Sequence, residues 1–516
     1  MTDQAQADVL IVGAGPTGLV LALWLTTLGV RIRIIDKAAT PGTTSRALAV
    51  QARTLEFYQQ IGLAQPVVDL GHKVQGVNLW VKGARAARIP IGNLGQGLTA
   101  FPFPLIFPQD QHEQLLIDRL RDLGVEVERP VELTAFEERG GNIVATLNKA
   151  GAADSNTYAY LAGCDGARSK VREVMNPGFP GGTYDHLFYV ADVEATGPSM
   201  DGELHVDLED ADFLAVFPLH DPGRARLIGS VREQAAQDHE HLEFEDVRDR
   251  ALQNLKIDVQ RVNWFSTYRV HHRVALSFRK GRAFLLGDAA HIHSPVGGQG
   301  MNTGIGDAVN LAWKLAASLK QPASSNLLDS YEPERIAFAR RLVATTDRVF
   351  TGVISASAFA RFLRTKVIPA LAPLLLRVPG IRRFLFHTVS QIAVNYRGNI
   401  LSAGAAGRIH GGDRLPWIRT GRQGADEFNF APLKSLDWQI HIYGDAAADV
   451  RALSDREKIP LHVFAWQSGM NDSGLQRDAA YLVRPDGYVA LASADSNAAA
   501  IEQYLRERNI KALHQV

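Results

Sequence analysis

The sequence Asp8-Val-Leu-Ile-Val-Gly-Ala-Gly-Pro-Thr-Gly18 decides how this chain folds. It joins a short β-branched run to three glycines at the spacing Gly-x-Gly-x-x-Gly, and a helical pattern continues to Leu28. Gly29 ends that helix, and a second strand-like run, Arg31 to Ile35, is followed by Asp36. This order of strand, glycine motif, helix, strand and acid predicts a dinucleotide-binding α/β fold.

Each part of this motif has a predicted role toward a dinucleotide. Gly13 permits the tight turn, Gly15 lets the backbone approach the diphosphate, and Gly18 lets the helix pack closely on the strand. The diphosphate is expected at the positive end of the helix, and Asp36 is placed to accept hydrogen bonds from the adenosine ribose. An aspartate there favours NAD or FAD over NADP and does not decide between the two. The candidate contacts of this region are Gly13, Ala14, Gly15, Pro16, Thr17, Gly18, Asp36 and Lys37.

A second informative stretch covers residues 283–302. The apolar run Phe284 to Leu286 predicts a buried strand, and Gly287-Asp288 puts a carboxylate at its carboxyl end, where open α/β sheets bind ligands. The loop that follows contains Pro295, Gly298 and Gly300. Because the glycines have no side chains, a ligand can reach the backbone N–H groups of this loop. The alternative interpretation is a glycine-rich turn that only allows a helix to pack.

The composition limits the partners of this chain. Its 516 residues imply about two to four domains. Lysine plus arginine equal aspartate plus glutamate at 55 each, so no bulk charge attracts nucleic acid. The first residues lack the pattern of a signal peptide, which favours a cytoplasmic protein. The single cysteine, Cys164, excludes an intramolecular disulfide and a cysteine-rich zinc site, and no metal site is predicted.

The order of strand and helix patterns predicts three domains. Residues 1–183 and 271–397 form a discontinuous nucleotide-binding domain, of which roughly 74–108 contribute to the inserted domain. Residues 184–270 alternate apolar and polar side chains between turn signals, which predicts an inserted sheet of antiparallel strands. Residues 398–516 form a C-terminal domain.

The apolar run Val367 to Leu376 is about half the length that a bilayer span needs, so no membrane span is predicted. Its basic surroundings, Arg361 to Arg383, could lie on a membrane surface, but the pattern favours a packed helix pair or a subunit contact. A homodimer is therefore left open.

Three motifs in a fixed order resemble one known family. The Gly13 motif, Cys164-Asp165-Gly166 and the Gly287-Asp288 stretch with its loop look like those of the single-component FAD-dependent aromatic hydroxylases, the group A flavoprotein monooxygenases with the p-hydroxybenzoate hydroxylase fold. The resemblance covers at least residues 8–395, and residues 481–490 are similar to the thioredoxin-like domain of the phenol and polyketide hydroxylase branch. It implies an α/β fold with a Rossmann-like FAD-binding domain, an inserted antiparallel-sheet substrate domain, and a thioredoxin-like C-terminal domain without Cys-x-x-Cys.

The resemblance also implies which residues bind the cofactor. In the family, the aspartate at the position of Asp288 contacts the ribityl or ribose part of FAD, and the loop after it holds the isoalloxazine ring. The Asp165-Gly166 pair is associated there with both FAD and the transient nicotinamide cofactor. The residues implied beyond the first motif are Arg46, Gln109, Asp165, Gly166, Gly287, Asp288, Pro295, Gly298, Gly300, Met301 and Asn302.

The activity implied by the resemblance is hydroxylation of an aromatic ring, phenolic or polyketide-like, with NADH or NADPH and oxygen. A second Gly-x-Gly-x-x-Gly between a strand and a helix is absent from the sequence, so the nicotinamide cofactor is expected to bind only transiently. Oxygen would then add at the flavin C4a position, and the hydroperoxide would transfer its distal oxygen to the ring. The protein would exclude water and orient the substrate.

The catalytic residues are left unknown by the sequence. Tyr189, His205 and His220 on the inserted sheet are candidates to accept a phenol proton, as is Asp207, but an ordinary sheet or surface role is the favoured interpretation for each. Some phenol hydroxylases carry an acid where this chain has Leu48. An apolar aromatic pocket, or else core packing, is predicted for Phe101, Phe103, Phe213 and Phe217.

Two alternatives accompany this hypothesis. One is a flavin-binding protein without turnover that holds a reactive intermediate. The other is a flavin monooxygenase that carries out epoxidation or Baeyer–Villiger chemistry on a polycyclic substrate. A flavin halogenase is disfavoured because its Trp-x-Trp-x-Ile-Pro motif is absent from the sequence.

Overall fold

A computed structural model of the chain describes residues 7–42, 47–208, 213–231, 242–247, 250–294, 296–321, 325–354, 357–421 and 427–513. Two residues of the predicted cofactor site, Arg46 and Pro295, lie outside these ranges. The strands are β1 (Val9–Val12), β2 (Ile32–Ile35), β3 (Ala49–Val50), β4 (His72–Lys73), β5 (Gly76–Val81), β6 (Ala84–Pro90), β7 (Leu105–Ile106), β8 (Glu132–Arg139), β9 (Asn142–Lys149), β10 (Ala152–Tyr158), β11 (Tyr160–Gly163), β12 (Gly181–Thr196), β13 (Leu204–Asp207), β14 (Leu214–Pro218), β15 (Arg224–Ser230), β16 (Asp258–Val274), β17 (Arg279–Lys280), β18 (Ala283–Leu285), β19 (His291–Ile292), β20 (Ala403–Ala406), β21 (Ile409–His410), β22 (Gln439–Tyr443), β23 (Leu461–Phe464), β24 (Ala480–Val483) and β25 (Val489–Ser493).

The α-helices are α1 (Pro16–Thr27), α2 (Ala52–Gln60), α3 (Ala64–Leu70), α4 (Gln109–Asp122), α5 (Lys170–Met175), α6 (Phe244–Val247), α7 (Arg250–Asn254), α8 (Gly300–Lys320), α9 (Ser325–Asp329), α10 (Tyr331–Ile354), α11 (Ala358–Phe362), α12 (Ile368–Leu375), α13 (Pro379–Val389), α14 (Ala448–Glu457), α15 (Gly469–Asp472) and α16 (Ala498–Glu507). A π-helical turn, Leu363–Val367, joins α11 to α12. No helix within the described ranges is both long and apolar enough to cross a bilayer.

The predicted nucleotide-binding sheet is confirmed. Its strand order is β17-β18-β11-β1-β2, and the pairs β18–β11, β11–β1 and β1–β2 are parallel. Every side chain of β1 is buried, and the strand has a parallel neighbour on each side. Helices α1 and α8 pack against each other. Parallel strands end at one edge of a sheet, so the chain leaves β2, β11 and β18 close to Asp36, Gly166 and Asp288.

A second, larger sheet forms the other half of the cavity described below. Its order is β19-β16-β12-β15-β14-β13-β5-β6, and its neighbours are antiparallel as predicted, except that β13 and β5 are parallel. The exception arises because β5 comes from the segment before the insert, and no hairpin fixes its direction relative to β13. Strands β5 and β6 lie within residues 74–108, the segment expected to join this sheet.

A buried histidine makes the stability of the nucleotide-binding half depend on pH. His112 on α4 and Tyr58 on α2 are fully buried, and the Tyr58 hydroxyl lies 2.7 Å from His112 Nε2. Burial lowers the pKa of His112 to about 3. An unfolded chain binds this proton near pH 6.5, whereas the folded chain does not, so stability falls as the pH drops from about 6.5 toward 3.

We therefore expect the free energy of unfolding to fall more steeply with acid in the wild type than in His112→Gln, by up to about 1.4 kcal/mol per pH unit. Urea unfolding at a series of pH values between 7.5 and 5 measures both slopes. His220→Gln, at an exposed turn, is the matched control and should follow the wild type. Equal slopes for wild type and His112→Gln would contradict the assignment.

The C-terminal block forms a sheet of its own, in the order β21-β20-β25-β24-β22-β23. Strands β22 and β23 are parallel and joined through α14, whereas β24 and β25 form an antiparallel pair followed by α16. A βαβ unit followed by a hairpin and a helix is the arrangement of a thioredoxin-like fold, as expected. The lone Cys164 is buried in the nucleotide-binding half, so this block carries no thiol.

Buried charges hold the C-terminal block against the nucleotide-binding half. Arg484, after β24, donates to both carboxylate oxygens of Glu334 on α10, at 2.7 and 3.0 Å, and also to Asp486. Lys314 on α8 donates to the same Glu334 at 2.8 Å. Burial alone would raise the pKa of Glu334, but Arg484 and Lys314 lower it to about 2. Trp313 and Trp438 pack edge-to-face beside this cluster, with ring centroids 5.5 Å apart.

Candidate active site

A cavity of about 1070 Å³ lies between the carboxyl edge of the parallel sheet and the larger sheet. One end is lined by the first turn of α1, and the opposite wall is formed by side chains of β14 and β16. Of the predicted cofactor residues, those that line the cavity are Gly15, Pro16, Thr17, Gln109, Gly166, Asp288, Gly298, Gly300 and Met301. The structure thus brings segments more than 280 residues apart in the sequence to one site.

The glycine motif shapes one end of the cavity. Gly13 has φ +103°, and a Cβ there would overlap the carbonyl oxygen of Cys164. A Cβ on Gly18 would overlap the carbonyl oxygen of Gly13, so this position also requires glycine. By contrast, a Cβ on Gly15 would meet no atom within 4 Å, because Gly15 faces open space. Helix α1 begins there with no side-chain cap, so its first N–H groups are available to an anion.

Asp36 braces this turn. Its carboxylate accepts hydrogen bonds from the N–H groups of Ala14 and Ala38, each at 2.8 Å. Arg129 Nη1 lies 3.2 Å from the same carboxylate. The neighbouring Lys37 is exposed. An acid at this position therefore fixes the glycine turn in place before any ligand binds.

The two residues of the Asp165-Gly166 pair have different roles: Asp165 caps helix α5, and Gly166 lines the cavity. The Asp165 carboxylate accepts hydrogen bonds from Ser169 Oγ at 2.5 Å and from the Lys170 N–H at 2.6 Å, so it stabilises the start of α5. Burial raises the pKa of Asp165, although these hydrogen bonds oppose the increase. Gly166, with φ +74°, lines the cavity. The carboxylate of Asp165 is therefore directed at the protein backbone.

Asp288 and Asp307 have opposite environments after β18. Asp288 is exposed and lines the cavity. Asp307 on α8 is fully buried and accepts hydrogen bonds from the Gly287 N–H at 3.0 Å, His291 Nε2 at 2.8 Å and Arg335 Nε at 2.6 Å. Burial alone would raise the pKa of Asp307, but Arg335 and His291 lower it. Asp307 was not predicted from the sequence, and it holds the turn that presents Asp288.

Asn302 holds the loop in front of α8. It is 1% exposed, and its Nδ2 donates to the carbonyls of Ala49, at 2.8 Å, and Gly298, at 2.7 Å. Its Oδ1 accepts from the Gln51 N–H and the Thr54 hydroxyl, each at 2.8 Å. The structure thus places Asn302 behind the cavity wall, where it ties the Gly298 turn to α2.

His293 is a polar cavity residue that was missed in the sequence. His293 lines the cavity, and its Nδ1 lies 2.8 Å from the carbonyl of Ser294, so Nδ1 carries the proton. Its Nε2 has no hydrogen-bond partner within the described part of the chain. Burial lowers the pKa of His293 to about 4, so the ring is neutral at pH 7 and Nε2 presents a lone pair. The second histidine of His291-Ile-His293, directly after Gly287-Asp288, was the available signal.

The opposite wall is aromatic. Phe217, Trp264 and Tyr268 line the cavity from the larger sheet, and Phe103 lines it from the segment before α4. The predicted pocket residue Phe101 instead lines a separate cavity, and Phe213 packs beside buried Phe188 and Val270. Only two of the four predicted phenylalanines therefore face this site.

The weak catalytic candidates do not line the cavity. Tyr189 is 1% exposed and packs against Phe265, with ring centroids 6.0 Å apart. His205 is buried between Trp80 Nε1, which donates to Nδ1 at 2.9 Å, and Asp201, which accepts from Nε2 at 2.8 Å. His220 is exposed in a turn, and Asp207 is fully buried and accepts from Asn254. The geometry gives Tyr189, His205 and Asp207 roles within the sheet and leaves His220 on the surface.

Comparison with known proteins identifies the family. Residues 6–346 match the model of the FAD binding domain family. The chain is 34% identical to a 6-methylpretetramide 4-monooxygenase of Streptomyces rimosus, across 94% of this chain and 90% of the relative. It is 30% identical to a pentachlorophenol 4-monooxygenase of Sphingobium chlorophenolicum, across 80% and 76% of the two chains. Among solved structures, OxyS anhydrotetracycline hydroxylase from Streptomyces rimosus superposes with a TM-score of 0.78 at 28% identity and covers 97% of this chain and 98% of its own. Because the family model matches well over half of its length, this chain belongs to the FAD binding domain family.

Proposed function

We propose that this chain is an FAD-dependent monooxygenase that hydroxylates an aromatic, polycyclic substrate with NADH or NADPH and oxygen. The observation that carries the proposal is that one cavity of about 1070 Å³ combines a dinucleotide-binding edge with an aromatic wall from a different sheet. That volume is at the upper end of the range for small-molecule sites, as a site that holds both a cofactor and a multi-ring substrate requires. The oxygenase names of the relatives support the same reaction class.

The residues present fit FAD. The open space at Gly15 and the uncapped start of α1 would hold the diphosphate, and Asp36 the adenosine ribose. Asp288 would accept hydrogen bonds from the ribityl chain, and the Gly298 turn would lie against the ring. When bound, FAD supplies the redox chemistry and the activation of oxygen.

The chain itself would orient the substrate and keep water away. Phe217, Trp264 and Tyr268 offer flat apolar surfaces for stacking against an aromatic substrate. His293 Nε2 would accept a hydrogen bond from a hydroxyl or N–H group, because the neutral ring presents only a lone pair at that atom. Tyr189 and His205 would then stabilise the sheet, His220 would lie at the surface, and none of the three would contact the substrate.

We further propose that the nicotinamide cofactor binds only transiently, because the described part of the chain offers one dinucleotide fold and the sequence has one Gly-x-Gly-x-x-Gly between a strand and a helix. A cytoplasmic location would supply this reductant. In the proposed domain division, residues 184–270 with part of 74–108 bind the substrate, 1–183 and 271–397 bind FAD, and 398–516 form the C-terminal domain.

The test is NADH and NADPH oxidation with oxygen uptake by the FAD-loaded protein, across a panel of phenols and polycyclic aromatic polyketides. We expect at least one polycyclic substrate to accelerate flavin reduction and to gain one oxygen atom, detected by mass spectrometry. An FAD-loaded protein that no substrate accelerates would contradict the proposal and favour a flavin-binding protein without turnover.

A further inference from the structure

Helices α11, α12 and α13 carry their apolar side chains on the outside of the molecule. Ten large apolar residues of these helices are exposed, and Phe359 and Phe384 are more than 70% exposed. We call this set the outer face, and it consists of Phe359, Phe362, Ile368, Leu371, Leu374, Leu375, Ile381, Phe384, Leu385 and Val389. Large exposed apolar surfaces on soluble proteins commonly mark binding sites.

The spacing shows that the outer face is built into each helix. In α13, Ile381, Phe384, Leu385 and Val389 are separated by three, four and eight positions from the first, which places them along one side. In α12 the exposed apolar residues also repeat at three and four positions. Amphipathic helices of soluble proteins normally turn such a stripe toward the core.

The segment that carries the outer face has charges of a single sign. Between Asp347 and Asp413 the sequence contains no aspartate or glutamate but nine lysines and arginines. Arg361, Lys366 and Arg383 are exposed beside the apolar residues. Cations that flank exposed phenylalanine and leucine form the pattern of a helix that lies in the interface of an anionic bilayer.

The outer face also adjoins the proposed active site. Leu385 and Val389 belong both to the outer face and to the lining of the 1070 Å³ cavity. Between them, Phe386 points inward, is 5% exposed and packs against Gly95. A surface that covered the outer face would therefore lie at the edge of the cavity.

We propose that the outer face docks on an anionic lipid surface. A second copy of the chain is a poorer occupant, because a two-fold contact would bring the same basic segment of both copies together with no acid of that segment to pair with it. Anionic headgroups neutralise the arginines and lysines, and the acyl region accepts the phenylalanines and leucines. Lipid binding at this face does not depend on turnover and goes beyond the proposed function.

The experiment is flotation of the FAD-loaded full chain with vesicles of phosphatidylcholine, with and without phosphatidylglycerol. We expect binding to the vesicles that contain phosphatidylglycerol, weaker binding at high salt, and little binding to phosphatidylcholine alone. The double variant Phe359→Ser/Phe384→Ser should lower the bound fraction at least about fivefold, because it removes two membrane-inserting rings. Leu276→Ser, at an apolar residue exposed elsewhere, is the matched control and should bind as the wild type does.

Three results would overturn the proposal. The first is the absence of flotation with phosphatidylglycerol at low salt, and the second is flotation of the double variant equal to that of the wild type. The third is a wild-type dimer in light scattering that the double variant converts to a monomer, since the outer face would then be covered by a second copy. The FAD content of each variant verifies that it is folded, and the oxidation assay tests the proposed function separately.

Discussion

Asp288→Ala is expected to purify with little or no FAD. The Asp288 carboxylate is exposed to the cavity at the carboxyl end of β18, and its turn is held from behind by buried Asp307. Alanine would remove a charged acceptor for the cofactor hydroxyls without disturbing that support. Hydrogen bonds to charged groups contribute about 1.5–3 kcal/mol, so the dissociation constant for FAD should rise roughly 10- to 100-fold.

The ratio of flavin to protein absorbance after purification, and flavin fluorescence titration of the apoprotein, measure this loss. Asp329→Ala is the matched control, because Asp329 is also an exposed aspartate but pairs with Arg279 away from the cavity. The control should retain the wild-type flavin content. Asp288→Ala protein that stays fully loaded with FAD would show that this carboxylate does not hold the cofactor.

Arg484→Met is expected to destabilise the fold by about 3–5 kcal/mol, because removing one partner of a buried ion pair leaves the others uncompensated. The Arg484 guanidinium is fully buried and is shared between Glu334 and Asp486. After the substitution, Glu334 would keep Lys314 and Asn310 as partners, but the Asp486 carboxylate would lose its ion pair with Arg484 and keep only the weaker hydrogen bond from Trp313 Nε1 among those described.

Chemical unfolding followed by tryptophan fluorescence measures the effect, and Trp313 and Trp438 in the contact report on it directly. Arg456→Met on α14 is the matched control, since Arg456 is 53% exposed and solvent screens its ion pairs, so they should contribute little to stability. Flavin content should also fall in Arg484→Met, because α8 carries both Lys314 and the Gly300 end of the cavity. A loss of stability equal to that of the control would contradict the role of the buried cluster.

The sequence predicts the parts of the site that are encoded locally. The strand, the Gly13 motif, α1 and Asp36 follow one another within 30 residues, and so do β18, Asp288 and the Gly298 loop. Each pattern needs only its own periodicity and turn residues to be interpreted. The three-part architecture followed from the order of these patterns and from the resemblance.

Roles that depend on distant partners could not be obtained in this way. Asn302 accepts a hydrogen bond from the Gln51 N–H, 251 residues away. Nothing near Asn302 in the sequence indicates whether its side chain stabilises the loop or contacts the cofactor. His205 resembles a free catalytic base until the structure places Trp80 and Asp201 on its two nitrogens. The capping role of Asp165 is likewise visible only in the structure, where its carboxylate accepts a hydrogen bond from the first residue of α5.

The two walls of the cavity are supported by separate sheets, and this separation has an evolutionary consequence. Phe217, Trp264 and Tyr268 stand on β14 and β16, whereas Asp288 and the Gly298 turn depend on Asp307 and Asn302 of α8. A substitution on the sheet leaves the hydrogen bonds of the loop intact. A descendant protein can therefore accept a substrate with a different ring system while it keeps its cofactor. Laboratory selection for new substrates should begin with Phe217, Trp264 and Tyr268.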